Sequence, residues 1–431
     1  MKTLIKGGRL IDPANGRDGL FDLVIDKRKV LAVEEQGKLS EKDRNGAEII
    51  DATGLIVAPG FIDMHVHFRE PGFEYKETIE TGCQSAAAGG FTSVATMPNT
   101  DPVNDNRSVT EFILQKAREK GIVNVFPIGA ISKGLKGEQL SEMGDLKDAG
   151  VVAFSDDGRP VMNSELMRRA FEYSKMFGLP CIQHSEMLDL AEGGCMNEGV
   201  VSTELGLRGM PTEAEDIMVY RDIALLQKTG GRLHVAHISS GNAVDLVRMA
   251  KSKGLPVTCE VAPHHFALTE QAVKNYDTNA KMSPPLRLES DLEAIKEGLR
   301  DDTIDIIATD HAPHDVVDKQ VEFNRACFGI VGLETALPLT LRLVEEKIFS
   351  LSKMVEKLSS RPSEIFNLNR GALGVGDIAD IVIFDPDAEV VIDVSKFKSR
   401  SKNSPFNGWK VKGKVMRTLV AGKTVFLESS N

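Results

Sequence analysis

Two kinds of hydrophobic patterning divide the chain. Near its start, TLIKGGRLID and FDLVIDKRKVLAVEE alternate apolar with polar positions and break at glycine and Asn-Gly pairs, the signature of short strands joined by turns. Near its end, DIADIVIFDP, EVVID and GWKVKGKVMRTLVAGKTVFLE are rich in valine and isoleucine, residues that suit a pleated surface. Helical periodicity is weak in both stretches. Residues 1–55 and 365–431 are therefore expected to pair into one small, sandwich-like β domain, since the two ends of a compact chain often lie close together.

Between them, residues 56–364 alternate short apolar runs with helix-like stretches. The runs are GFIDMHVHF, FTSVATMPN, VNVFPIGAI, VVAFSDD, LPCIQHSE, RLHVAHIS, PVTCEVAPHHF and IDIIATDHAPH. ETIETGCQSAAAGG, SVTEFILQKAREKG, SELMRRAFEYSKMFG and GNAVDLVRMAKSKG read as helices, and the last two end in glycine, a common helix stop. Eight strand–helix units over about 300 residues predict an α/β fold of the TIM (β/α)8 barrel type rather than a doubly wound open sheet.

Several runs finish in polar residues that a buried strand does not need. His65 and His67 close the first, Asp156 and Asp157 the fourth, His184 the fifth, His237 the sixth and Asp310 the eighth. Barrel enzymes place their active sites at the C-terminal ends of the strands, so these side chains should converge on one mouth. His65 and His67 are two residues apart and would face the same side. Histidine with carboxylate suits zinc or a similar divalent ion, and a carboxylate can bridge two ions. Asp310 beside such an ion could also carry a proton. Taken singly, each residue has a plainer reading: a satisfied core histidine for His184 or His237, a helix cap for Asp310. His234 reads as structural, and His264 and His265 as wall residues. Sequence alone leaves open whether Asp156 or Asp157 is the bridge.

Composition narrows the class. A length of 431 residues suits one large domain plus a smaller one. Five scattered cysteines with no CxxC pair argue for a reducing compartment and against a disulfide framework. A net charge of −11 without a basic stripe argues against nucleic acid as a partner. No apolar run is long enough to span a bilayer, and Gly7-Gly8 interrupts the N-terminus before a signal-peptide core could form. A cytoplasmic protein is expected.

The motifs together are more specific than any histidine pair. PGFIDMHVHFREPG, GGFTSVATMPNT, FSDDG, ATDHAPH and GIVGLETALP, spread from about Pro59 to Pro338, resemble class I dihydroorotases of the amidohydrolase superfamily. The resemblance implies reversible cyclisation of N-carbamoyl-L-aspartate to L-dihydroorotate plus water in pyrimidine biosynthesis, run by a metal-bound hydroxide with Asp310 as general acid and base. It implies one or two Zn2+ per subunit, with His65, His67, Asp157 and Asp310 holding one ion and Asp157, His184 and His237 the second. It assigns His67, Arg69, Asn99, Ser283 and His314 to the substrate, and an aromatic-glycine contact to Phe328-Gly329. Arg69 is expected on the same strand face as His67, the plainer alternative being an exposed ion pair with Glu70 or Glu74. A homo-oligomer, most simply a dimer, is implied, and the resemblance admits aspartate transcarbamoylase as a partner.

Two positions depart from the family pattern. Ser283 in KMSPPLR stands where asparagine is usual, a shorter group with one donor instead of two. Cys327 stands where proline is common. Hydantoinases and allantoinases are similar too, but they bridge their metals with a carboxylated lysine at strand four, which VVAFSDDG lacks. The competing expectations are that hydantoinase type of activity and an inactive barrel serving a transcarbamoylase as scaffold; retention of every implied ligand counts against the second.

Overall fold

The apolar runs of the middle region fold as parallel strands, with valine, isoleucine and phenylalanine buried on both faces. The structure, a computed structural model, describes residues 2–428. In chain order the strands are β1 (Phe61–Val66), β2 (Phe91–Thr96), β3 (Asn124–Pro127), β4 (Phe154–Ser155), β5 (Cys181–Gln183), β6 (Leu233–Val235), β7 (Val257–Val261) and β8 (Ile306–Ile307). β1 to β3 pair in parallel, as do β4 to β8. Parallel bridges from Gly129 to Phe154 and from Val66 to His311 join the two groups at both seams and close the ring. All eight expected runs are strands, and the fold is the TIM barrel that their spacing predicts.

The helices follow from capping and from one apolar stripe each. In Ser164–Lys175, Asn163 accepts the amides of Glu165 and Leu166, while Leu166, Met167, Ala170 and Phe171 are buried. Arg107–Lys120 opens on Asn106, which accepts the Val109 amide, and buries Val109 and Ile113.

Inside the barrel, Ala95, Met97, Ala153, Ile182, Ile306 and Ala308 pack in one apolar cluster with Ile62 and Met64, plugged by Ile365 and Phe366 of the helix Ser360–Phe366. Following the same alternation toward the strand ends brings Asn99, Asp157, His184 and Asp310 to the mouth. The periodicity that fills the floor with apolar groups thus delivers polar ones to the top.

Both chain ends contribute to a nine-stranded sheet. Ile381–Val391 runs antiparallel to Ile56–Pro59 with Ile381 opposite Pro59, and so links strands from residues 2–59 to those ending at Leu427. Its apolar face, with Ile5, Leu10, Leu23, Ile25, Ile381 and Leu419, forms a separate core. Thr418 donates to the Ala87 carbonyl at 2.7 Å and fastens this sheet to the barrel helix Ile79–Ala88.

Candidate metal centre and active site

The polar strand ends meet as expected. The His65 and His67 Nε2 atoms lie 3.3 and 3.4 Å from Asp157 Oδ2, and 3.4 and 3.1 Å from Asp310 Oδ1. On the other side of Asp157, His184 Nδ1 and His237 Nε2 lie 3.5 and 3.4 Å from Oδ1 and only 2.9 Å from each other. His65, His67 and Asp157 form one group with ligand atoms within 4.8 Å, and Asp157, His184 and His237 a second. All are buried. Asp157 therefore lies between two ligand groups. Asp156 faces away and accepts the amides of Ile131 and Ser132 at 2.8 and 2.9 Å.

The backbone is bent to make this convergence. His237 and Asp310 have φ of 29° and 47°, left-handed values that cost a non-glycine residue about 1–2 kcal/mol. Asp310 caps no helix: the next one, Val316–Lys319, takes Asp315 as its cap.

One buried carboxylate and one amide oxygen fix the rings from behind. Glu260 on β7 lies 2.5 Å from His65 Nδ1 and 3.1 Å from His234 Nε2. The Asn99 oxygen lies 2.9 Å from His67 Nδ1. With both Nδ1 atoms so occupied as donors, the Nε2 lone pairs of His65 and His67 face carboxylate oxygens. Two lone-pair groups at that range repel unless a cation lies between them. His65 Nε2 and Asp157 Oδ1 are also buried without a hydrogen-bond partner. The donor set therefore fits divalent cations.

Protonated imidazoles supply positive charge that the carboxylates need. Burial works against a charged Asp157, yet His65, His184 and His237 hold its carboxyl well below the usual range. Burial likewise opposes a charged Asp310, and His65 and His67 pull it down. Burial disfavours a charged His184, but Asp157 and Glu186 push it up to about 10. Asp157 and Asp310 are thus kept ionised by positive charge beside them, a part that a divalent cation could equally play.

Around it lies a cavity of about 490 Å³ lined by Arg69, Asn99, Ser283, His314 and Phe328. Arg69 is not on a strand: β1 ends at Val66, and Arg69 turns back through a φ of 29°. It pairs with neither neighbouring glutamate. Glu70 accepts the Ile79 amide and Glu74 the Gly72 amide. The guanidinium instead donates to the Pro313 carbonyl at 3.2 Å and faces His314 Nε2 at 3.4 Å. Lys76 approaches the other nitrogen of His314 at 3.2 Å. Ser283 donates to Glu186 at 2.8 Å. Gly329, at φ 153°, passes so close that a Cβ would sit 2.5 Å from the Ala312 carbonyl oxygen.

Comparison with known proteins decides the family. The chain is 56% identical over 426 residues to a dihydroorotase of Geobacter metallireducens, covering 99% of this chain and 100% of that one. The chain belongs to the dihydroorotase family. A dihydroorotase of Syntrophus aciditrophicus is 53% identical over 429 residues, and the family model described as Dihydro-orotase-like matches residues 54–243. Among solved structures, the fold is similar to an L-hydantoinase (dihydropyrimidinase) from Arthrobacter aurescens, with a TM-score of 0.87 at 26% identity over 99% of this chain and 96% of that one. A dihydropyrimidinase from Brevibacillus agri gives 0.86 at 25%, over 99% and 95% of the two chains. Members of this family are metal-dependent cyclic amide hydrolases, and the dihydroorotase relatives span the whole chain.

Sequence reasoning missed Glu260 and Glu186. Glu260 did leave a signal: a carboxylate inside the apolar run TCEVAP has no reason to be there unless something buried needs it.

Proposed function

We propose that this pocket opens and closes the dihydroorotate ring, interconverting L-dihydroorotate and N-carbamoyl-L-aspartate. The observation that carries the reading is a cationic guanidinium, Arg69, without a carboxylate partner among the described residues and facing the same cavity as the Asp157–Asp310 cluster. His65, His67, Asp157 and Asp310 would hold one Zn2+, and Asp157, His184 and His237 a second. Such ions supply Lewis-acid polarisation of a carbonyl and make water acidic enough to attack at neutral pH.

The chain's own residues do the rest. Arg69 can grip the ring carboxylate through two parallel hydrogen bonds. Lys76, at the other nitrogen of His314, is already paired with Asp318 at 2.9 Å, so the Arg69 guanidinium is the charge at this rim left for an anion to answer. Asn99, whose oxygen is taken by His67, keeps its amide nitrogen to donate to the substrate. Asp310 can take a proton from the attacking water and pass it to the leaving ring nitrogen. Ring closure consumes a free carboxylate and a proton, so acid favours the ring and alkali the open form.

The test is purified protein with dihydroorotate, following loss of the ring amide absorbance. Activity should disappear on chelation and return with zinc, cobalt or manganese. Full activity in protein shown by elemental analysis to be metal-free would overturn the metal assignment. Failure of the metal-loaded protein to act on dihydroorotate, with turnover of hydantoin instead, would favour the hydantoinase reading. The family resemblance implies a homo-oligomer, most simply a dimer, and admits an aspartate transcarbamoylase as partner; sedimentation of the protein alone and mixed with that enzyme tests both.

A further inference from the structure

Two ammonium groups lie buried behind the aromatic wall of the pocket. Lys281 and Lys319 are 2% and 4% exposed. Lys281 Nζ donates to the carbonyls of Phe323 and Asn324 at 2.8 and 3.1 Å. Lys319 Nζ donates to those of Thr278 and Cys327 at 2.8 and 2.7 Å. Their hydrogen-bond partners among the described residues are backbone carbonyls, with no carboxylate.

That arrangement is costly, because a buried charge without a counter-charge loses its hydration and gets little back. Burial lowers the pKa of both, Lys319 to about 7. What the two lysines add is further order in a segment otherwise held by turn bonds, by the Cys327 amide on the Asp318 carbonyl at 3.1 Å and by the buried Phe323. Residues 321–329 form neither helix nor strand, so their carbonyls depend on partners from elsewhere. The segment ends in the pocket wall. The Phe328 ring centroid is 4.5 Å from Lys281 Nζ, and the Gly329 amide donates to the Lys281 carbonyl at 3.0 Å. One lysine side chain thus holds the start of the segment and the back of its aromatic ring, while the other ties the Cys327 carbonyl near its end to that of Thr278.

We propose that Lys281 and Lys319 are positioning residues, a pair of buried clamps that fix the Phe328 wall and thereby set how tightly the pocket holds its substrate. The proposal rests on the reading of Phe328 as a substrate contact. It predicts a split: misplacing the wall weakens binding, while the groups around Asp310 are untouched.

The test uses metal-loaded full-length protein carrying Lys281→Met or Lys319→Met, each alone and combined with Phe328→Ala. KM for dihydroorotate should rise ~10–100-fold in either lysine variant, with kcat within about threefold of wild type. Hydrogen exchange of peptides covering 321–331 should quicken about tenfold while the barrel strands stay protected. In the Phe328→Ala background the lysine substitutions should add little to KM, since they act through that ring. Should a methionine variant fail to fold, Lys281→Gln and Lys319→Gln, which keep a neutral donor, carry the same comparison. Unchanged exchange in 321–331, or a KM effect that persists in full without the Phe328 ring, would overturn the clamp. If wild type fails to turn over dihydroorotate, the functional reading falls instead, and the exchange result alone decides the clamp.

Discussion

Arg69→Met separates recognition of a charged ring from chemistry on it. Methionine keeps an unbranched stem of similar reach but removes the guanidinium. Among the described residues that group has no carboxylate partner to lose, and the neighbouring Glu70 and Glu74 are engaged with the amides of Ile79 and Gly72. Burial has already pulled its pKa down to about 10, which leaves it charged at neutral pH yet poorly hydrated. A ligand carboxylate would then meet a group with little water to give up. Leaving one member of such a desolvated charge pair unanswered costs roughly 2–5 kcal/mol, or ~30- to ~4000-fold at 1.4 kcal/mol per factor of ten. The assay is kcat/KM for dihydroorotate and for dihydrouracil, which lacks the ring carboxylate, in wild type and variant. Dihydroorotate should lose a factor in that range and dihydrouracil, where measurable, should change little. An equal loss on both substrates would show that Arg69 serves the fold of the 69–76 loop, and the charge argument would fail.

Three further outcomes follow from the geometry. Asp310→Asn preserves shape, so the melting temperature should hold while turnover falls by ~10²–10⁴; near-normal turnover would remove Asp310 from proton transfer. Glu260→Gln should weaken metal affinity ~10–100-fold through loss of its grip on His65, read by titrating stripped protein with zinc, and unaltered affinity would contradict the orienting role. Burial holds His264 down at about 4 against about 6.5 in an unfolded chain, so the folded state binds fewer protons between those values. Its contribution is present above pH 6.5 and is lost as pH falls toward 4, by on the order of 3 kcal/mol. Urea midpoints of metal-free wild type and His264→Phe should accordingly show the shallower acid loss in the variant, and parallel curves would discount the effect.

How much of this was legible in the sequence depended on whether a residue's role was carried by its own strand. His184 and Asp310 each end a run whose place in the barrel already brings them to the mouth, whereas Asn99 and Asp157 were legible only through the family resemblance. The choice between Asp156 and Asp157 was open because β4 is only two residues long, too short for alternation to set its phase. Arg69 was placed on a strand that stops three residues earlier, at Val66; a left-handed turn carries it to the cavity by another route. Glu260 escaped because its partners, His65 and His234, come from two other strands. Lys281 and Lys319 escaped because they bind backbone carbonyls, most of them about forty residues away, which no side-chain pattern records.

The antiparallel pairing of Ile56–Pro59 with Ile381–Val391 also has a consequence for synthesis. More than three hundred residues separate Pro59 from Ile381, so at ~5–20 residues per second the ribosome needs roughly 15–60 s to deliver the partner. Throughout that interval the early strand offers an open edge to any neighbouring chain. It also leads directly into β1, the strand that carries His65. A nascent chain must keep that edge from other partners until residues 381–391 emerge, and slower translation or crowding on one message would be felt first as aggregation.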